Sequence, residues 1–257
     1  MKLKRFLTVL GCFVLVLMCA FTVVGCGEVE ATADEINAFL QTEGVETTFE
    51  DKGYHFDFYT KFGNLEVYKN GFIKMSGEFV PNEEGFDGKI YVEYYFVDAN
   101  SEAEYSLKTT YYLKDEKYYN TKTKKITTSA SDFMTPVLMD RIYEAVENVK
   151  DAISDILAYN GQEGATLTLQ KKGDIEKGNV ELYATANFAT MKNYVYARYQ
   201  NSKLVDYLTE LSGEGTTIKI NIKEYNGKIN FPNDIENYED LTMTVAPTPT
   251  VAPYPAP

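Results

Sequence analysis

Alternation with period two is the pattern that most constrains this chain. In Lys89–Val97, Ile90, Val92, Tyr94 and Phe96 face one way and Tyr91, Glu93 and Tyr95 the other, as on a strand with one buried and one wet face. Val180, Leu182, Ala184, Ala186 and Phe188 alternate with Glu181, Tyr183, Thr185 and Asn187, and Ile218, Ile220 and Ile222 with Lys219, Asn221 and Lys223. Asn70-Gly71, Glu84-Gly85, Asp87-Gly88 and Asp98-Ala99-Asn100 read as turns. Strands are expected near 45–50, 53–61, 64–69, 72–80, 88–97, 103–113, 116–120 and 123–128, then over 164–172, 179–189, 191–199 and 217–223. The short spacing of the turns implies an antiparallel meander. Tyr225-Asn226-Gly227 is expected to turn the chain into a last strand, Lys228–Phe231, ended by Pro232.

Three segments read as helices. Thr32-Ala33-Asp34-Glu35 fits a capping box, with Ile36, Phe39 and Leu40 behind it and Gly44 as a stop. Thr135-Pro136 opens a long helix over 136–159, closed by Asn160-Gly161. Leu138, Ile142, Ala145, Val146, Val149, Ala152, Ile153, Ile156 and Leu157 give it a continuous apolar stripe, so it is expected to lie along a sheet. A short helix is expected at 203–212, with Ser202 as its cap, Gly213 as its stop and Leu204, Val205, Leu208 and Leu211 inward. Residues 241–257 hold five of the eight prolines and no charge, and read as a polyproline-II tail without packed structure. The expected organisation is a signal segment over 1–25, a tether over 26–32, a single α+β domain over 33–240 and the tail. Two domains divided near residue 130 are the alternative.

The N-terminus carries a different signal. Lys2, Lys4 and Arg5 precede an almost purely apolar run from Phe6 to Val24, the pattern of a secretory leader. Its end, Val23-Val24-Gly25-Cys26, resembles the lipobox of bacterial lipoproteins. That resemblance implies diacylglyceryl transfer to the Cys26 thiol, cleavage before it, and a lipid-anchored protein on the extracytoplasmic side of the cell membrane. An uncleaved membrane-spanning helix over 6–25 is the alternative. Cys12 and Cys19 lie within the apolar run, so a mature chain would keep no thiol free for a disulfide or for nucleophilic catalysis.

The rest of the chain is poor in reactive groups. Its net charge is −13. Taking the three leader bases from 25 leaves 22 against 38 acids, or −16, a balance that disfavours nucleic-acid partners. A single histidine, His55, excludes a multi-histidine metal site. His55 and Asp57 share a strand face, but no nucleophile accompanies them; a surface histidine is the simpler reading. Asn82–Gly88 is acidic and loop-like without the spacing of an EF-hand loop. Phosphate loops, nucleophile elbows and dinucleotide fingerprints are missing from the sequence. No enzyme, cofactor or metal is expected. The 21 tyrosines suit half-buried strands, and an aromatic-lined groove for an apolar or sugar ligand is the second reading.

The order of elements resembles the LolA/LprG-like lipoproteins: a short first helix, a long meander, a helical interruption and a closing hairpin. Thr217–Asp234 (TIKINIKEYNGKINFPND) and Tyr112–Ile126 (YLKDEKYYNTKTKKI) carry the local likeness. The resemblance implies a curved antiparallel β-sheet, an incomplete barrel, whose concave apolar face is covered by helices and can hold acyl chains. The long helix over 136–159, expected from its stripe to pack on that concave face, and the proline tail depart from the family's pattern. Ile90, Val92, Tyr94 and Phe96 on the sheet and Leu138, Ile142, Val149, Ile153 and Leu157 on the helix are the candidate lining residues. The expected function is a non-catalytic, monomeric carrier for an apolar or lipid ligand. An interaction module for another envelope protein is the alternative.

Overall fold

A computed structural model describes residues 27–49, 51–63, 68–83, 85–127, 142 and 145–240. In chain order its elements are β1 (Val29–Glu30), α1 (Ala33–Leu40), β2 (Tyr54–Gly63), β3 (Tyr68–Asn82), β4 (Gly85–Asp98), β5 (Glu104–Lys114), β6 (Lys117–Asn120) and β7 (Lys125–Thr127). They continue with α2 (Val149–Leu157), β8 (Ala165–Asp174), β9 (Asn179–Phe188), β10 (Met191–Gln200), β11 (Lys203–Gly213), β12 (Thr216–Glu224), a 3-10 turn (Ile235–Asn237) and β13 (Glu239–Asp240). Strand dominates and helix is sparse. Two compact units divide the chain: one takes residues up to Thr48 and Glu147–Glu214, the other Phe49–Val146 and the residues from Gly215 onward.

The first unit is a sheet ordered β1-β8-β9-β10-β11, antiparallel across its β1–β8, β8–β9, β9–β10 and β10–β11 pairs. Its inner face carries Val180, Leu182, Ala184 and Ala186 on β9 and Val195, Ala197 and Tyr199 on β10, all buried. The alanines leave room for α2, which packs on β9 and β10 and buries Val149, Ile153, Ile156 and Leu157. α1 begins where the capping box places it, with the Glu35 amide donating to Thr32 Oγ1 at 3.2 Å. Lys171 ties that helix to β8 by pairing with Glu35.

The second unit orders its strands β12-β2-β3-β4-β5-β6-β7-β13. Pairing is antiparallel from β12 to β7; β13 alone joins in parallel, on β7. The inner face is built from aromatic rings laid over cross-strand glycines. Phe56 opposes Gly77, Phe62 opposes Gly71 and Phe79 opposes Gly88. A Cβ at Gly77 would stand 2.2 Å from the Phe56 ring, and at Gly71 or Gly88 2.7 Å from its partner ring. These glycines are vacancies that a flat ring fills. Two of the expected turns are therefore strand interior: Asn70-Gly71 lies inside β3 and Asp87-Gly88 inside β4.

Other expectations are corrected as well. The segment 203–212 is strand β11, not helix. Asn201 and Ser202 both take positive φ (51° and 64°) and form a tight hairpin turn of the kind that matches strand twist. A register shift at Arg198/Tyr199 then pairs Tyr199 with Leu204 and Arg198 with Asp206. Leu204 and Tyr207 share the buried face, whereas Leu208, expected inward, pairs with Tyr196 on the other; apolar residues on both faces of β11 give the spacing of a helix.

The long helix is not supported. Residues 142 and 145–147 are helical as well, but Asn148 (φ −123°, ψ 41°) falls outside helical geometry and separates them from α2, so the apolar stripe runs through a break. Residues 45–49 are irregular, and the expected strand 228–231 is irregular too. Instead of forming a hairpin, this segment packs Phe231, Ile235 and Tyr238 against Tyr112, Tyr119 and Ile126 at the far edge of the unit. The remainder of 136–144, Leu138 included, the leader with Cys26, residues 64–67 and the proline tail lie outside the described residues.

Candidate functional site

The sequence-derived lining residues fall into two groups. Ile90 and Val92 are buried on the inner face of β4, while Tyr94 and Phe96 on the same face are half-buried. Phe96 stacks on Tyr94 and on Tyr105 with centroids 5.5 and 5.1 Å apart. These four, with buried Ile142, belong to the second unit. Val149, Ile153 and Leu157 are buried on α2 in the first.

The interior of the first unit also contains two residues that sequence reasoning passed over. Tyr199 is 1% exposed and Tyr207 0%. Both hydroxyls are enclosed with no hydrogen-bond partner among the described residues. β10 and β11 bring them onto one face: Tyr207 opposes Ala197, and the bulge sets Tyr199 beside Leu204. Phe39 of α1 meets the Tyr199 ring edge-on at 5.0 Å. Burial pushes both phenols well above the ordinary value of 10.0, and at Tyr199 the neighbouring Tyr207 adds to the rise. Thr209 acts against the rise at Tyr207 but does not reach hydrogen-bonding geometry. Both groups therefore stay neutral and remain donors. A buried hydroxyl without a partner costs roughly 1–3 kcal/mol, so these two donors are the costliest polar groups of this otherwise apolar core. Tyr199 ends an expected strand, but Tyr207 lies off the inward stripe of the segment expected as helix, so the sequence carries no signal for the pair.

Elsewhere chemistry is sparse. His55 Nε2 lies 3.3 Å from Asp57 Oδ2, on a partly exposed strand face. No cluster of three or more His, Cys, Asp or Glu suited to a metal occurs among the described residues. Among them, too, no helix is long and apolar enough to cross a membrane. An open groove of about 520 Å³ runs along the β1–α1 junction and Leu167–Gln170. A shallower depression of about 370 Å³ lies on the outer face of β2–β4.

No family model and no curated protein matches this sequence. Among solved structures, the chain is similar to LprF from Mycobacterium bovis, with 10% identity, a TM-score of 0.44, and coverage of 79% of this chain and 98% of that one.

Proposed function

We propose that this is a lipid-anchored, extracytoplasmic carrier that holds an apolar ligand bearing an oxygen acceptor, such as an acyl ester or fatty acid. The observation that carries the reading is the pair of enclosed, unpartnered hydroxyls of Tyr199 and Tyr207 in an otherwise apolar core. Two neutral donors there favour a carbonyl and reject plain hydrocarbon. Anchoring rests on Val23-Val24-Gly25-Cys26 and is tested separately, by labelling the full chain with a tagged fatty acid; label that persists in Cys26→Ala removes it. Catalysis has no part in this reading.

Native mass spectrometry and solvent extraction of the purified full chain test the ligand. A bound acyl species is expected, with several-fold lower retention in the Tyr199→Phe/Tyr207→Phe variant. A bare mass, with no uptake from phosphatidylglycerol vesicles, defeats the carrier reading. The interaction-module reading is favoured by a different observation. Phe188, Met191 and Leu211 are 39, 45 and 43% exposed, and Phe188 pairs with Met191 across the β9–β10 hairpin. Clustered exposed apolar side chains mark interaction surfaces. If the carrier test fails, Phe188→Ser and Met191→Ser are the variants that should abolish cross-linking to an envelope protein.

A further inference from the structure

The outer face of the second unit differs in charge from the rest of the chain. Strand register sorts its side chains into four cross-strand rows from β12 to β5. The first row is Thr217, Lys61, Phe72, Tyr95 and Ser106, and the second Lys219, Tyr59, Lys74, Glu93 and Lys108. The third is Asn221, Asp57, Ser76, Tyr91 and Thr110, and the fourth Lys223, His55, Glu78 and Lys89, ending at Tyr112, which Phe231 covers. Six lysines thus face three carboxylates, on a chain whose net charge is −13. Asp87 and Glu104 stand in the rows beyond, at its two ends. Among the described residues, Lys61, Lys89 and Lys223 have no carboxylate within ion-pair distance, whereas Lys108 sits 3.5 Å from Glu93. The outer face of the first unit is nearly balanced by comparison: Lys172, Lys192, Arg198 and Lys203 stand with Glu30, Asp174, Glu181, Asp206 and Glu210.

Aromatic rings are interleaved with this charge. Tyr59, Phe72, Tyr91 and Tyr95 are half-buried in the sheet, with Phe72 and Tyr95 6.2 Å apart and Lys74 Nζ 5.2 Å from the Phe72 ring. Tyr59, Lys74 and Tyr91, with Asp57 and Ser76, line the 370 Å³ depression. Beside Asp57, the Asn221 side-chain oxygen is enclosed with no hydrogen-bond partner among the described residues. From this arrangement we infer that the outer face of β12–β5 is a docking surface for an anionic glycan, a chain of sugar rings carrying carboxylate or phosphate groups. The lysines meet the anions, the ring faces take the apolar sides of the sugars, and Asp57 and Ser76 accept and donate to hydroxyls. A membrane surface fits less well, because none of the strongly exposed large apolar residues lies on this face to enter the acyl layer. The inference goes beyond the carrier reading and does not depend on it.

Isothermal titration of the full chain in detergent with polygalacturonate tests it, with neutral dextran, polyglutamate, oligo(dT) and phosphatidylglycerol vesicles as comparisons. Polygalacturonate is expected to bind best, and more weakly as salt rises. Lys74→Glu/Lys89→Glu should weaken it about tenfold or more, Lys74→Arg little, and Lys172→Glu on the first unit not at all. Tyr91→Ala should weaken it while Tyr91→Phe does not; if Tyr91→Ala fails to fold by circular dichroism, the lysine arm decides. Absence of polygalacturonate binding overturns the inference, as does indifference to Lys74→Glu/Lys89→Glu. Equal binding of polyglutamate or dextran removes the sugar or the charge requirement and overturns it too. Preference for oligo(dT) or for vesicles replaces the glycan with a nucleic acid or a lipid surface.

Discussion

The two units solve the same problem with different materials. Both are antiparallel sheets whose inner faces must be taken out of water. The first lays small residues, Ala184, Ala186 and Ala197, beneath a helix whose Val149, Ile153 and Ile156 supply the bulk. The second draws its bulk from the sheet itself, setting Phe56, Phe62 and Phe79 over Gly77, Gly71 and Gly88. A small-residue face covered by a separate element is the arrangement that admits buried polar groups such as Tyr199 and Tyr207. A ring seated in a glycine vacancy leaves no such room. The contrast explains why the candidate ligand donors sit in one unit and the aromatic core in the other.

Substitutions that touch only one unit sharpen that comparison. The largest effect is expected from Ile153→Asp, which buries an unpaired charge under α2 and should cost about 4 kcal/mol. Hydrogen exchange should then rise first in the first unit; an equal rise throughout would mean that the two units unfold together. Next is Gly77→Val, whose side chain has no place beside the Phe56 ring. A loss of about 2–3 kcal/mol is expected, read by thermal melting, and a neutral outcome would show that Phe56 can leave its seat.

Alkali should act on the first unit. Its buried phenols ionise in the unfolded chain near 10.0 but only at higher pH in the fold. Their contribution is whole below pH 10 and is lost as pH rises above it, by about 1.4 kcal/mol per pH unit for each phenol. Tyr199→Phe should flatten that decline in a stability–pH series; an unchanged slope would place the phenol in water. The smallest effect is expected at the edge of the second unit. Lys124→Ala breaks the exposed pair with Asp234 at 2.7 Å and should cost less than about 1 kcal/mol. Glu147→Lys should be as mild, and limited proteolysis of the same variants tests whether 33–240 behaves as one domain.

The strands were legible wherever one face is wet, because alternation survives intact on β4, β9 and β12. It failed where geometry breaks the period. Apolar residues on both faces of β11, Leu204 on one and Leu208 on the other, made it look helical, and glycines serving as ring seats at Gly71 and Gly88 looked like turns. The stripe from Ile142 to Leu157 gave no hint of the cap at Asn148, because apolar spacing continues across it. Of the candidate site, Ile90, Val92, Ile142, Val149, Ile153 and Leu157 were readable as buried positions. Tyr199 and Tyr207 were not readable as a pair, because only the strand register brings their hydroxyls into one core.

The pairing of β12 with β2, from Thr217 opposite Lys61 to Glu224 opposite Tyr54, joins two strands far apart in the chain. Wherever β2 forms first, its far side stays unpaired until Thr216–Glu224 docks. Loop closure of this span is slow compared with the local hairpins β3–β4 and β4–β5. The open edge of β2, with Phe56 and Phe58 on its apolar side, is therefore a stretch that invites association with other chains until β12 covers it.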